Sequence, residues 1–281
     1  MSNISFVIFT KNEEKRIGYI IRNFIKYGEV LVFDDYSNDK TQEIVERLGG
    51  KFITRPPTIK QPDTIEMYSF AWQYIMNDWI FWGCADHMLP VELLEKMREI
   101  SLQSKYKCAQ VPIFTYLFGD TKNPAHKGYN SRFFKKDSVN FANNYFHGLG
   151  QFTGAKDEIL FLPMCEEYAI HHYSLYDLHK FLSKHLAYAE VEAQEKFEKN
   201  KKFSIFLMFG AMLRYFIMFY KYSFRNGVRG LNVAILYAFF RSMVYIKLYE
   251  IENGINLESI ESKFTKSKEQ ILKEIENVNK L

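Results

Sequence analysis

The sequence predicts an α/β fold, a mostly parallel sheet flanked by helices, continued by a helical C-terminal region. Two observations lead there. Strand-like and helix-like segments alternate over the first part of the chain, and beyond Ser174 strand-like runs give way to long amphipathic segments. Alternation of this kind is the mark of parallel crossovers. The boundary divides the chain into residues 1–173 and 174–281.

The elements follow in order. Residues 4–10, ISFVIFT, form a short run of β-branched and aromatic residues that suits a buried parallel strand. IGYIIRNFIKYG has apolar positions at helical spacing and ends at Gly28. VLVFDD is a second strand. SNDKTQEIVERLGG is a second helix, with Ser37 or Asp39 as its cap and a Gly pair at its end. KFITRPP is a third strand stopped by prolines, IEMYSFAWQYIMND a helix, WIFWG a fourth strand, and VELLEKMREISLQ another helix. From Tyr106 to about His172 short strands and loops mix. Helices are then predicted over 175–199, 203–223, 228–250 and the tail.

Composition bounds the function. With 25% charged and 47% apolar residues the chain is globular, not disordered. Aromatics reach 17%, an excess that suits a sugar platform, a membrane belt or a base-stacking surface. The net charge of +4 suits an anionic donor or acceptor without indicating nucleic acid by itself. Cys84, Cys108 and Cys165 are odd in number, widely spaced and without metal-ligand spacing, which argues against a disulfide framework or zinc ribbon. The N-terminus reads as a strand and not a signal peptide, so a reducing cytoplasm is the expected compartment. The segment IFLMFGAMLRYFIMF is fifteen residues long and carries Arg214. A bilayer span needs about twenty apolar residues, so spanning is not expected. A helix lying on a membrane surface and a hairpin packed on the sheet domain both remain open.

Ligands of open parallel sheets bind beyond the carboxyl ends of the strands. Three polar clusters fall there: Thr10, Asn12 and Glu13 after the first strand, Asp34 and Asp35 after the second, Asp86 and His87 after the fourth. The loop after the first strand, TKNEEKR, has no glycine, which argues against both the dinucleotide fingerprint and the Walker loop. Carboxylates can instead accept hydrogen bonds from a base and a ribose, and can hold a divalent cation against a diphosphate. That chemistry fits a nucleotide-sugar donor.

The stretches FVIFTKNEEKRI, VLVFDDYSNDKTQEI and NDWIFWGCADHMLP resemble the family 2 glycosyltransferases, which have the Rossmann-like GT-A fold. The sequence looks most like the branch of small lipopolysaccharide-core transferases. SKHLAYAEVEAQ and YSFRNGVRGLNVA are similar to the helical half of that branch. The resemblance implies that Thr10, Asn12, Glu13 and Asp34 contact the nucleoside, usually uridine, with Asp35 beside them. Asp86 stands as the second acid of a D-x-D motif and would hold a magnesium- or manganese-diphosphate. His87 is implied as a metal or phosphate contact, Arg132 as a diphosphate contact, and His172, with His171 as fallback, as completing the metal site.

The sequence departs from the family pattern in three places. Cys84 replaces the first acid of D-x-D, which weakens the case for magnesium or manganese. Tyr68 and Ser69 align where Arg-Asn is usual. Phe146, His147 and Gly148 align with a V-H-E-like motif, so the usual acid is missing there. His147, Asp157 and Glu158 are the candidate bases for deprotonating an acceptor hydroxyl. The expected function is sugar transfer from a nucleotide-diphosphate sugar, UDP-linked, to a hydroxyl with inversion. The expected acceptor is a cell-surface glycan or glycolipid, with peripheral contact at the inner membrane face. A phage-type transferase acting on modified DNA bases, and a degenerate non-catalytic relative, are the alternatives.

Overall fold

The computed structural model describes residues 3–59, 63–142, 150–174 and 177–278. Two compact units divide the chain: Met1–Tyr176 with Tyr222–Gly230, and Asp177–Lys221 with Leu231–Leu281. The short segment Tyr222–Gly230, predicted within the helical region, belongs with the sheet unit.

In the sheet unit the elements are β1 (Ile4–Thr10), α1 (Ile17–Phe24), β2 (Glu29–Asp34), α2 (Thr41–Arg47), β3 (Lys51–Thr54), α3 (Ile65–Trp72) and β4 (Trp79–Cys84). They continue with β5 (His87–Met88), α4 (Val91–Ser101), β6 (Cys108–Tyr116), β7 (His126–Lys135), β8 (Val139–Asn140), β9 (Gln151–Phe152), β10 (Ile159–Phe161) and β11 (Ile170–Tyr173). Among the described residues the main sheet has nine strands in the order β3-β2-β1-β4-β7-β6-β11-β5, with β10 beside β6. The pairs among β3, β2, β1 and β4 are all parallel, whereas β7 runs antiparallel to both β4 and β6. The mixed α/β architecture expected from the sequence is therefore present.

The continuous apolar runs of β1 and β2 have a simple cause. Successive side chains of a strand point to opposite faces, and both faces are covered. Ile4, Phe6 and Ile8 enter one core with Ile17, Phe24 and Leu93. Val7, Leu31 and Phe33 enter the other with Met67, Ala71 and Trp82. Phe6 and Phe24 stack with ring centroids 4.5 Å apart, locking α1 to β1. Gly28 lies where a Cβ would come within 2.2 Å of the Ile4 carbonyl oxygen, so the chain can enter β2 this tightly only with glycine.

Helix α2 starts at Thr41, later than the sequence suggested. Asp39 accepts the Thr41 amide at 3.0 Å, whereas Ser37 is turned away to Asp34 and caps nothing. The helical unit contains α5 (Leu178–Glu198), most of α6 (Ile205–Ser223), most of α7 (Val228–Glu252) and α8 (Leu257–Val278). Asp177 caps α5 by accepting the Lys180 amide at 2.7 Å. Helix α6 is 19 residues long, longer than its most apolar stretch, because Tyr220, Lys221, Tyr222 and Ser223 continue it.

Candidate active site at the strand ends

Thr10 and Asp34 end neighbouring parallel strands in direct register, and Phe9 is in register with Cys84. Asp34 is 1% exposed. Its Oδ2 accepts the Ser37 amide at 2.7 Å and its Oδ1 accepts the Ser37 hydroxyl. The same Ser37 oxygen accepts the Asn12 amide at 2.7 Å, and Asn12 Oδ1 accepts the Asn38 amide at 2.9 Å. Asn12 holds φ at +54°, the left-handed region that Asn tolerates better than most residues. The Glu13 amide donates to Thr41 Oγ1 at 2.8 Å, and the Glu13 carboxylate pairs with Arg16. The loops after β1 and β2 are thus stitched together by side-chain-to-backbone bonds.

Asp35 follows in the same corner, with its amide bonded to the Thr10 carbonyl at 3.0 Å. Its carboxylate is 2.9 Å from Lys11 Nζ and 2.8 Å from Arg55 Nη2. Burial raises its pKa, but hydrogen bonds from Lys11 and Arg55 outweigh that and hold it below the usual aspartate value.

A second corner forms where the chain leaves β4. Asp86, His87 and His172 offer ligand atoms that all lie within 4.8 Å of one another. Asp86 Oδ2 is 3.2 Å from His172 Nε2, although the residues are far apart in sequence. They meet because β5 pairs antiparallel with β11, with His87 opposite His172, and because the Tyr173 amide donates to the Asp86 carbonyl at 2.9 Å. Ser174 Oγ lies 2.8 Å from His172 Nε2, and Thr115 Oγ1 lies 3.5 Å from its Nδ1. His171 turns elsewhere and stacks on Tyr116 at 5.6 Å. Of the two histidines, it is His172 that joins Asp86.

His87 is buried, and desolvation, with Arg132 and His172 nearby, drives its pKa well below the ordinary histidine value. The ring is therefore neutral. Its Nδ1 accepts the Cys84 amide at 3.3 Å. A backbone N–H can only donate, so the Nδ1 lone pair is engaged and Nε2 carries the proton. That N–H lies on the Asp86 side, with Nε2 3.9 Å from Asp86 Oδ1.

Arg132 comes from β7, and its charge acts on both His87 and Asp63. Its Nη1 donates to the Trp82 carbonyl at 2.7 Å, and its Nε is buried without a hydrogen-bond partner. Trp82 donates its indole N–H to Asp63 Oδ1 at 3.0 Å. Burial raises the Asp63 pKa, opposed by Arg132 and the indole bond. The sequence reading missed Asp63. The only available signal was an acid just before the cap of α3, where Thr64 accepts the Met67 amide at 3.3 Å, and such an acid reads as ordinary helix-start chemistry.

The predicted bases do not join these groups. Asp157 and Glu158 precede β10, whose Ile159 is in register with Cys108 at the start of β6. His172 is in register with Thr115 near the end of β6. At ~3.3 Å per residue those positions are about 23 Å apart. Glu158 is ion-paired with Lys107 at 2.5 Å, and that contact lowers its pKa. His147 lies outside the described residues.

A family model described as "Glycosyl transferase family 2" matches residues 5–161, more than half of the chain, including Thr10, Asp34 and Asp86. The chain belongs to glycosyl transferase family 2. A glycosyltransferase of Rickettsia typhi, itself uncharacterized, is 30% identical over 89% of this chain and 88% of its own length. A second one, from Rickettsia felis, is 30% identical over 89% of this chain and 90% of its own. Among solved structures, glucosyl-3-phosphoglycerate synthase from Mycobacterium tuberculosis, in complex with Mn2+, UDP and glucosyl-3-phosphoglycerate, is 19% identical with a TM-score of 0.31. That match covers 39% of this chain and 43% of the synthase, so the chain spans less than half of the synthase's length.

Within this glycosyltransferase the family match ends before β11. His172 therefore enters from outside the matched region, and only the fold brings it to Asp86. Cys84, in place of the first acid of D-x-D, contributes its backbone amide to His87 and is not among the three residues gathered at the second corner.

Proposed function

We propose that this glycosyltransferase takes a UDP-linked sugar and transfers it, with inversion, to a hydroxyl of a cell-surface glycan or lipopolysaccharide precursor at the cytoplasmic face of a membrane. The nucleoside is assigned to the corner of Thr10, Asn12, Glu13, Asp34 and Asp35. The diphosphate is assigned to Asp86, His87, His172 and Arg132. One observation carries this reading: in-register strand ends hold one acidic corner, and a second, Asp86 with His172, is assembled beside it at 3.2 Å from distant parts of the chain.

The donor set of the second corner, a carboxylate oxygen with imidazole nitrogen, fits a divalent cation that accepts both, and favours manganese over magnesium. Asp86 and His172 would hold it. When bound, such a cation neutralises charge on the departing nucleotide diphosphate. Thr115, beside Nδ1, would orient the His172 ring, whereas Ser174 now occupies the Nε2 position that the cation would take. His87, with its proton on Nε2, acts as a hydrogen-bond donor to a phosphate oxygen and not as a ligand. Arg132 adds a fixed positive charge on the same side.

Calorimetric titration with UDP-sugars, with and without manganese, tests the assignment. Donor binding is expected to require both the cation and Asp34. An Asp34→Ala variant that binds UDP-sugars as well as the wild type would end it.

A further inference from the structure

From Lys199 to Tyr249 the sequence holds nine lysines and arginines and not one aspartate or glutamate, while the rest of the chain is net acidic. Helix α6 lies in this stretch. At 3.6 residues per turn, Phe206, Phe209, Leu213, Ile217 and Tyr220 share one face. They are 84%, 57%, 61%, 56% and 39% exposed. Arg214 and Lys221 flank this stripe along one side. The opposite face is packed: Phe219 stacks on Tyr237 of α7 at 3.6 Å, and Tyr215 lies 4.6 Å from the Arg241 guanidinium. Only 6% of the α6 stretch is buried, against 44% for α7.

We propose that the outward face of α6 beds into the surface layer of an anionic lipid bilayer, with the helix axis parallel to the membrane. Five bulky apolar side chains bordered by two cations match acyl chains beneath anionic headgroups. A nucleic acid would leave those apolar groups without a counterpart. A second copy of this chain would set like charges against like, because the region has no acid to answer them.

Length alone would permit α6 to cross a bilayer, and α7 likewise. Their partners do not. Arg214 falls at the middle of α6. The start of α6 is tied to the end of α7, with the Phe203 amide donating to Glu252 Oε1 at 2.7 Å. Helix α7 is in turn bound to α5, where Arg241 forms a bidentate pair with Glu192 at 2.6 and 2.7 Å. Drawing α6 and α7 across a bilayer would carry that pair and the charged α5 into hydrocarbon.

The proposal extends the glycolipid-acceptor reading but does not depend on it, because lipid binding is read without donor or acceptor. The full chain is sedimented with vesicles of phosphatidylcholine alone and of phosphatidylcholine containing phosphatidylglycerol. Capture by the anionic vesicles alone, and release by alkaline carbonate, are expected. Arg214→Gln and Lys221→Gln should each weaken capture about fivefold. A Leu213→Glu, Ile217→Glu double variant should abolish capture while keeping wild-type circular dichroism and UDP-sugar binding, since both positions are exposed. Capture of that double variant at the wild-type level would overturn the proposal. So would resistance to carbonate, which would mean a spanning helix, or a dimer that Leu213→Glu dissolves, which would mean a second copy.

Discussion

The two corners of the sheet crest are built differently. At the Asp34 corner the carboxylates already have partners inside the protein, although Thr10 Oγ1 is buried without one. Ser37 supplies two donors to one carboxylate, and Asp35 is clasped by Lys11 and Arg55. At the Asp86 corner the groups converge on one another, with two imidazoles and a carboxylate inside 4.8 Å. The first arrangement fixes a shape. The second gathers the side chains to which the proposed cation and diphosphate are assigned. On the proposed reading, a strand-end site holds its recognition groups rigid through the backbone and leaves its reacting groups to be completed by the substrate.

Three experiments test this division, from the largest expected effect to the smallest. Replacing Asp86 with Ala should remove manganese binding and lower sugar transfer by roughly 100- to 1,000-fold, while the melting temperature changes little. Calorimetry and a turnover assay read both. A variant that unfolds while the wild-type protein shows no cation binding would make the second corner structural and erase the contrast. Replacing Asp34 with Ala should do the reverse in part, costing donor binding and also about 1–3 kcal/mol of stability, because it strands the Ser37 donors. Denaturant unfolding measures that cost, and wild-type stability in this variant would show that the corner is not held by those bonds.

The smallest effect is pH-dependent. The folded pKa of Asp35 is depressed, so its contribution to stability is present above the ordinary aspartate value and lost as pH falls through the folded value. Arg55→Met should therefore lower stability by about 1 kcal/mol or less at neutral pH, given the partial exposure of Asp35. The gap should close on acidification below the ordinary aspartate range. Thermal melts across that range check it, and a gap that persists in acid would assign the loss to Arg55 packing instead.

The parallel half of the sheet was legible because burial on both faces of β1, β2 and β4 writes itself as unbroken apolar runs, and ligands of such sheets gather where those runs end. What could not be read was pairing. The two-residue β5 has no periodicity to detect, yet it is what lays His87 beside His172. Asp157 and Glu158 stood near a strand in sequence, but adjacency does not say at which end of its neighbour that strand begins. The parallel register of β10 with β6 put them at the far end. Asp63 was invisible because its partner, the Trp82 indole, is identified only in three dimensions. Helix α6 was placed correctly, ending at Ser223 as its pattern predicted.

The asparagine in the loop after β1 shows what a sequence signature can and cannot mean. With φ at +54°, the backbone at Asn12 admits few side chains without strain, and its amide oxygen is already spent on Asn38. Chain geometry alone is enough to keep this letter in the motif, whatever sugar carrier lies above it. Its presence in a related sequence therefore vouches for a bend in the main chain, and says much less about which nucleotide that relative prefers.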